Sequence, residues 1–292
     1  MKFTIRDFRK KFPDDNACLF EVMRLRFGSV STCPYEHCGK ETKFHRVKSR
    51  RCFECQWCGY QIYPTKGTIF EKSSTPLQLW FYAIYLMTAT RSGVSAKELQ
   101  RQLGVTYKCA WRMAHEIRKL MGGHATKPLK NRVEIDETYV GGKHAGVRGR
   151  GARGKTAVFG MVQRQGNIKA KIVDNVKCTT VLPLIAENVS KKAIISTDEF
   201  LTYKPLKKLG YQHKTIEHGA GEYVRGLTHT QTIEGFWSQL KRSISGTHVW
   251  VSKKHLQKYV DEFAFRFNQR HVPSEMFSVL LNRLEPPVKV AC

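Results

Sequence analysis

The stretch Arg132-Val-Glu-Ile-Asp-Glu-Thr-Tyr-Val140 alternates with period two and is rich in β-branched side chains, which predicts a strand with two chemically different faces. Residues 157–163 and 168–173 have the same character and are separated by the turn Arg164-Gln-Gly-Asn167, so three strands should meander. Beyond them, 179–190 reads as a helix, Ala193-Ile-Ile-Ser-Thr197 as a buried strand and 202–209 as a second helix. Strands interleaved with helices in this way predict an α/β fold, a mixed sheet with flanking helices.

Two acidic residues fall at informative places in that pattern. Asp136 lies on the first strand and Asp198 ends the apolar strand, and strand ends are where open sheets bind ligands. Paired divalent ions need bridging and flanking carboxylates, so a third acid is expected, with Glu187, Glu217, Glu222, Glu234 and Asp261 as candidates. Residues 230–244 form an amphipathic helix with Ile233, Phe236, Trp237, Leu240 and Ile244 on one face. Glu234 and Lys241, seven apart, stack beside that stripe, where they would face a cleft or stand as solvated surface charges. Spacing leaves Glu134 and Glu137 as alternatives to Asp136, and Glu199 as an alternative to Asp198. His229, a little before Glu234, is a further candidate contact to metal or DNA.

Upstream, Gly122-Gly123 and the polar stretch to Lys130 form a linker. Before it, Ser95-Ala-Lys-Glu98 is a capping box opening a short helix to Leu103, Gly104-Val105 makes a turn, and Thr106 caps a second helix through Trp111, His115 and Lys119. That is the outline of a helix-turn-helix, with Lys108 and Arg112 of its second helix as candidate DNA contacts. Thr75-Pro76 opens an apolar helix through Leu79, Trp80, Ala83, Ile84 and Met87. Asp14-Asp15-Asn16 caps a lead-in helix.

Between these helices lie five of the nine cysteines. Cys33-Pro-Tyr-Glu-His-Cys38-Gly39 and Cys55-Gln-Trp-Cys58-Gly59 read as two zinc knuckles, each followed by a glycine that permits a tight turn. Cys52-Phe-Glu-Cys55 is an equally spaced knuckle, and Cys55/Cys58 is preferred for its following glycine; His37 and His45 remain as substitute ligands. Cys18, Cys109, Cys178 and Cys292 have no such neighbours and read as packing or exposed thiols.

Fifty Lys and Arg against 24 Asp and Glu leave 292 residues with a formal charge of +26, which calls for a polyanion. Hydrophobic residues at 41% exclude wholesale disorder. The longest apolar run, Leu79 to Met87, is too short to span a bilayer, and the N-terminus lacks the apolar core of a signal peptide, so a cytoplasmic, nucleoid-associated chain is expected. In the Gly/Arg stretch from Lys143 to Lys155, Arg148, Arg150 and Arg153 are candidate phosphate contacts.

Taken together, Cys55-x-x-Cys58, Gly67-Thr-Ile-Phe70, Val133-Glu-Ile-Asp136-Glu-Thr-Tyr-Val-Gly-Gly142, Ser196-Thr-Asp198 and His229-Thr-Gln-Thr-Ile-Glu-Gly-Phe-Trp237 leading to Lys241 resemble the bacterial insertion-sequence transposases of the DDE class with an N-terminal zinc ribbon, the ISXO-like group. Gln231, an Asn in many relatives, and Cys52 depart from the pattern. The resemblance implies a ribonuclease-H-like catalytic domain in which Asp136, Asp198 and Glu234 hold Mg²⁺ or Mn²⁺ and Lys241 contacts DNA near the cleaved phosphate. It implies a structural zinc on Cys33, Cys38, Cys55 and Cys58, cleavage at the element's terminal repeats, strand transfer into double-stranded target DNA, and a homo-oligomer assembled on DNA. The expected order is a helical lead-in (1–30), zinc ribbon (31–70), helix-turn-helix region (71–122), linker (123–130), catalytic domain (131–275) and C-terminal tail (276–292). Rival readings are a non-catalytic DNA-binding regulator and a metal-dependent nuclease without strand transfer.

Overall fold

A computed structural model of the chain describes residues 3–28, 30–122, 127–141, 154–216, 224 and 229–284. The chain divides into two units, one built from residues 1–120 and 272–292, the other from residues 121–271.

In the first unit, Thr4 and Asp7 cap α1 (Ile5–Lys11) reciprocally, and Asp14 caps α2 (Asp15–Phe27) by accepting from the Ala17 amide. A small antiparallel sheet follows, with β1 (Phe44–Val47), β2 (Cys52–Cys55) and β3 (Gln61–Ile62) in sequence order. The apolar helix α3 (Leu77–Ala89) begins differently from the sequence expectation. Pro76 takes the N-cap position, Thr75 turns its hydroxyl to Cys109 Sγ, and the cap comes from afar: Asp15 Oδ1 accepts from the Gln78 amide at 2.9 Å. In α4 (Ala96–Leu103) Ser95 accepts from the Glu98 amide, worth about 1 kcal/mol. Gly104, at φ 64°, ends that helix in the left-handed conformation that glycine adopts without strain. Thr106 Oγ1 accepts from the Cys109 amide at the start of α5 (Tyr107–Met121).

The second unit is the α/β fold, with the sheet order β6-β5-β4-β7-β8. β4 (Arg132–Val140), β5 (Thr156–Gln163) and β6 (Ile168–Val173) form the antiparallel meander, while β7 (Ile194–Asp198) joins β4 in parallel and β8 (Gln212–Ile216) joins β7 in parallel. One sheet face packs on α6 (Cys178–Asn188) through Val133, Ile135, Phe159, Ile185 and Ile195. The other packs on α7 (Gln231–Ser243) and α8 (Lys253–Asn268) through Val158, Val162, Ile233, Trp237 and Val260. Helices therefore cover both faces.

Further elements differ from the sequence reading. The helix expected over 202–209 is a short 3₁₀ turn, Leu201–Leu206, interrupted by Pro205, and the chain then enters β8. α8 covers the edge strand: Asn268 accepts from the Ile168 amide at 2.7 Å and Gln257 from the Ile172 amide at 2.8 Å, occupying donors that an open edge would present to another chain. The segment expected as a C-terminal tail contains α9 (Met276–Leu281), a helix of the first unit; its Phe277 ring lies 5.8 Å from Phe12 and 6.4 Å from Phe81. No helix among the described residues is long and apolar enough to cross a membrane.

Candidate active site and cysteine cluster

Alternation along β4 sends Val133 and Ile135 to the α6 side and Glu134 and Asp136 to the α7 side. In the parallel pairing with β7, Glu134 is opposite Ser196, so two residues on each strand reaches Asp136 and Asp198 at the same level. On the antiparallel side Asp136 is opposite Gly160. That glycine makes room for an indole, since a Cβ there would stand 2.6 Å from two ring atoms of Trp237. The Trp237 Nε1–H donates to Asp136 Oδ2 at 3.0 Å.

Burial raises the Asp136 carboxyl to about 7, and the negative charges of Glu137 and Asp198 push in the same direction, against hydrogen bonds from the Glu137 amide and the Trp237 indole. Asp198 Oδ1 accepts from the Phe200 amide at 3.1 Å, which fixes the acid at the end of its strand. About one turn beyond Trp237 on α7, Lys241 feels Asp136 as an attracting charge and Lys155 as a repelling one; partial desolvation is the larger effect and lowers its ammonium. Asp136, Asp198, Lys241 and Lys155 thus share one electrostatic neighbourhood. Lys155 begins the approach to β5, and composition alone did not distinguish it from the other cations of its segment.

Glu234 occupies the first turn of α7, exposed, with its Oε1 accepting from the Thr230 hydroxyl at 2.6 Å. Among the described residues, the one group of three or more acids, His or Cys placed to hold a metal ion is that of the cysteines, and Asp136, Asp198 and Glu234 do not form another. The test of fit for a divalent cation therefore rests on Asp136 and Asp198. Two carboxyls on adjacent parallel strands, one of them raised by burial first and then by the charges of Glu137 and of the other, are a donor set that a cation would relieve. They fit.

Glu134 has a different task. Its fully buried carboxylate accepts from Arg164 Nε at 2.6 Å, the Thr232 hydroxyl at 2.9 Å, and the Thr232 and Ile233 amides at 2.8 and 3.1 Å. Those amides are the second and third of α7, the two that an N-cap side chain serves, so Glu134 caps a helix nearly a hundred residues away. His229 precedes α7 and turns Nδ1 to this same carboxylate at 3.3 Å, and its carbonyl accepts from Arg164. Sequence spacing offered Glu134 only as an alternative to Asp136, because nothing local marks a cap supplied from another strand.

In the first unit, Cys33, Cys38, Cys55 and Cys58 bring their sulfurs within 4.8 Å of one another. Cys52 stands apart from this group, fully buried and paired with Val47 in the β1–β2 ladder. Burial drives the Cys33 thiol up to about 12. At Cys55 burial also raises the thiol, but hydrogen bonds from Thr42 and from the Cys58 and Trp57 amides outweigh it and bring the value down to about 6. Amides aimed at a sulfur favour a thiolate, the form that binds metal. Lys108 and Arg112 lie exposed on α5, where the Arg112 guanidinium also rests 5.7 Å from the Trp80 ring centre. Arg148, Arg150 and Arg153 lie outside the described residues.

A basic chain with an acid-bearing mixed sheet and a separate cysteine cluster fits the class of DNA-processing transposases, and comparison with known proteins identifies the family. Residues 128–268 match the ISXO2-like transposase domain. An uncharacterized protein in transposable element ISH50 of Halobacterium salinarum is 29% identical over 88% of this chain and 92% of its own length. An uncharacterized transposase-like protein of Haemophilus influenzae is 30% identical over 36% of this chain and 84% of its own. The chain belongs to the ISXO2-like insertion-sequence transposases. Among solved structures, the pre-cleavage Mos1 transpososome matches over 69% of this chain and 77% of that one, at 12% identity and a TM-score of 0.28, a slight overlap.

Proposed function

We propose that the chain cuts phosphodiesters at the ends of its element and joins the freed 3′-hydroxyl to target DNA, using Asp136, Asp198, Glu234 and Lys241. The observation that carries this reading is the parallel register that sets Glu134 opposite Ser196, with Asp136 and Asp198 each two residues further on and Asp198 and Lys241 both acting electrostatically with Asp136. Asp136 and Asp198 would hold Mg²⁺ or Mn²⁺, with Glu234 as the third acid. Such a cation supplies Lewis-acid stabilisation of charge developing on phosphate oxygens. The chain's own residues position: Trp237 orients Asp136 through its indole N–H, Glu134 seats the helix that bears Glu234 and Lys241, and the Lys241 and Lys155 ammonium groups attract the phosphodiester.

The sheet order supports a ribonuclease-H-like reading of the second unit, since an antiparallel meander followed by parallel strands brings the two acids together. In the first unit, the four cysteines fit a structural Zn²⁺, and the helix–Gly104–helix geometry supports a helix-turn-helix that presents Lys108 to DNA. Arg148, Arg150 and Arg153 complete the basic surface in this reading. Acting on two DNA ends calls for an oligomer on DNA, and the work belongs to the nucleoid.

The test incubates purified protein with DNA spanning its own gene and flanks, with Mg²⁺ or Mn²⁺, and maps every new 3′ end and junction. Defined cuts and joined products that vanish with Asp136→Asn, while DNA binding persists, are the expected result. Binding without cuts would leave a regulator, and scattered unjoined ends a nuclease.

A further inference from the structure

Beyond Lys241 the helix that carries it does not end normally. Residues Ile244–His248 wind as a π-helical turn, and Val249 follows at φ 62° and ψ −53°. With the Trp250 amide donating to the His248 carbonyl at 2.7 Å, this is the positive-φ γ-turn, a rare and strained geometry, here centred on a β-branched residue. Both ends of the turn are anchored. Ile244 and Val251 are buried in the core beneath α7 and α8, and the His248 ring packs edge-on against Tyr259 at 4.7 Å. Between these anchors Val249 and Trp250 project outward, 80% and 60% exposed.

Strain at a well-anchored turn persists when the surroundings over-determine it, and such strain clusters at ligand clamps. The two apolar side chains are flanked by exposed cations, Lys241 and Arg242 at the end of α7 and Lys253 and Lys254 at the start of α8; one carboxylate, Asp174, stands 3.8 Å from Lys253. Exposed cations on both sides of an indole in the chain suit an anionic strand whose bases can stack. A second copy of a chain carrying +26 would be repelled by the same cations.

We propose that Val249–Trp250 is a wedge that binds DNA by stacking the Trp250 indole on an unstacked base. The placement rests on the reading of Lys241 as the residue near the reacting phosphate. From Lys241 to His248 the helix rises about 10 Å at ~1.5 Å per residue, which is roughly three base steps at ~3.4 Å each. Opening the duplex there would free the strand end to enter the acidic site, as proteins that insert apolar side chains between base steps kink and unstack DNA.

The experiment uses the full chain without Mg²⁺ or Mn²⁺ and duplexes taken from the DNA flanking its own gene, with 2-aminopurine placed at successive positions. We expect a fluorescence change at one or two adjacent positions on binding, lost in Trp250→Ala with about a tenfold weaker affinity, and largely kept in Trp250→Phe. Because Trp250 is mostly exposed, the variants should fold as the parent does, which circular dichroism checks. A silent series on bound DNA, a signal unchanged in Trp250→Ala, or no binding to these duplexes would overturn the wedge. So would loss of a DNA-free dimer by Trp250→Ala in sedimentation with the fluorescence intact, which would make the tip a protein interface. Running the cleavage assay in parallel separates the two ideas: cutting and joining with a silent series removes only the wedge, while a Trp250-dependent signal without cutting removes only the catalytic reading.

Discussion

Asp136 is held close to the pH at which DNA enzymes work, and that has a measurable sign. Between the ordinary value of 3.8 and about 7 the folded chain keeps a proton on Asp136 that the unfolded chain has released, so its contribution to stability declines as pH rises through that window. Asp136→Asn keeps the size and can still accept from Trp237, but carries no charge. In zinc-containing buffer free of Mg²⁺ and Mn²⁺ it should melt higher than the wild type at pH 8, with the gap narrowing toward pH 5, and it should cut no DNA. Adding Mn²⁺ should raise the wild-type melting temperature more than the mutant's, since a ligand that binds only the folded site stabilises it; equal shifts would count against a cation on Asp136. Gly160 is the neighbouring residue with no latitude. Gly160→Ala sets a methyl 2.6 Å from the Trp237 ring, so overpacking of about 1–3 kcal/mol should appear in urea unfolding.

At the level of elements, α7 is placed by a carboxylate on β4 rather than by its own sequence. Thr230 occupies its N-cap without a side-chain cap bond, and Glu134 serves the free amides instead. Glu134→Ala would leave the largely buried Arg164 guanidinium and two helix amides without their acceptor, a loss of about 3–5 kcal/mol. Glu234→Gln, on the exposed face of the same helix, should cost little stability, because an amide oxygen can still accept from Thr230, yet it should abolish cutting. Denaturation and cleavage measured on both variants separate a glutamate that positions from one that reacts; a stable Glu134→Ala would refute the anchoring role. Local reading found α7 from its apolar stripe but missed β8 and α8. β8 is short and alternates Gln212, His213, Lys214 and Thr215 with little apolar content, and what makes it a strand is its ladder with β7. α8 earns its place by covering β6, which no window of sequence displays.

Across the whole molecule, metal should matter differently to the two units. The cysteine group lies wholly in the first unit, so stripping zinc with a chelator should raise hydrogen exchange over 31–70 while the sheet of residues 132–216 stays protected. Cys58→Ser should lower the bound zinc measured on unfolding with a chromogenic chelator. Cys52→Ser should retain zinc and lose stability instead, because its sulfur is buried in the ladder rather than in the cluster. Retention of full zinc by Cys58→Ser would reopen the choice between the two knuckles. The charge of +26 spans both units and suits a long polyanion, so affinity for DNA should fall steeply as salt rises in a titration.

The amino-acid sequence by itself determined the strands of the meander, the capped helices α2, α4 and α5, the amphipathic α7, the cysteine knuckles and the family. Each of these is written in neighbours a few residues apart, through period, cap or ligand spacing. Only the tertiary structure decided which cysteine completes the cluster, that residues 276–281 fold with the N-terminal helices, that Lys155 joins Lys241 near Asp136, and that Glu134 caps α7. Those outcomes depend on groups brought together from tens to more than two hundred residues apart in the chain, as Phe12 and Phe277 are, where burial and hydrogen-bond satisfaction select the partner and local pattern carries no trace of it.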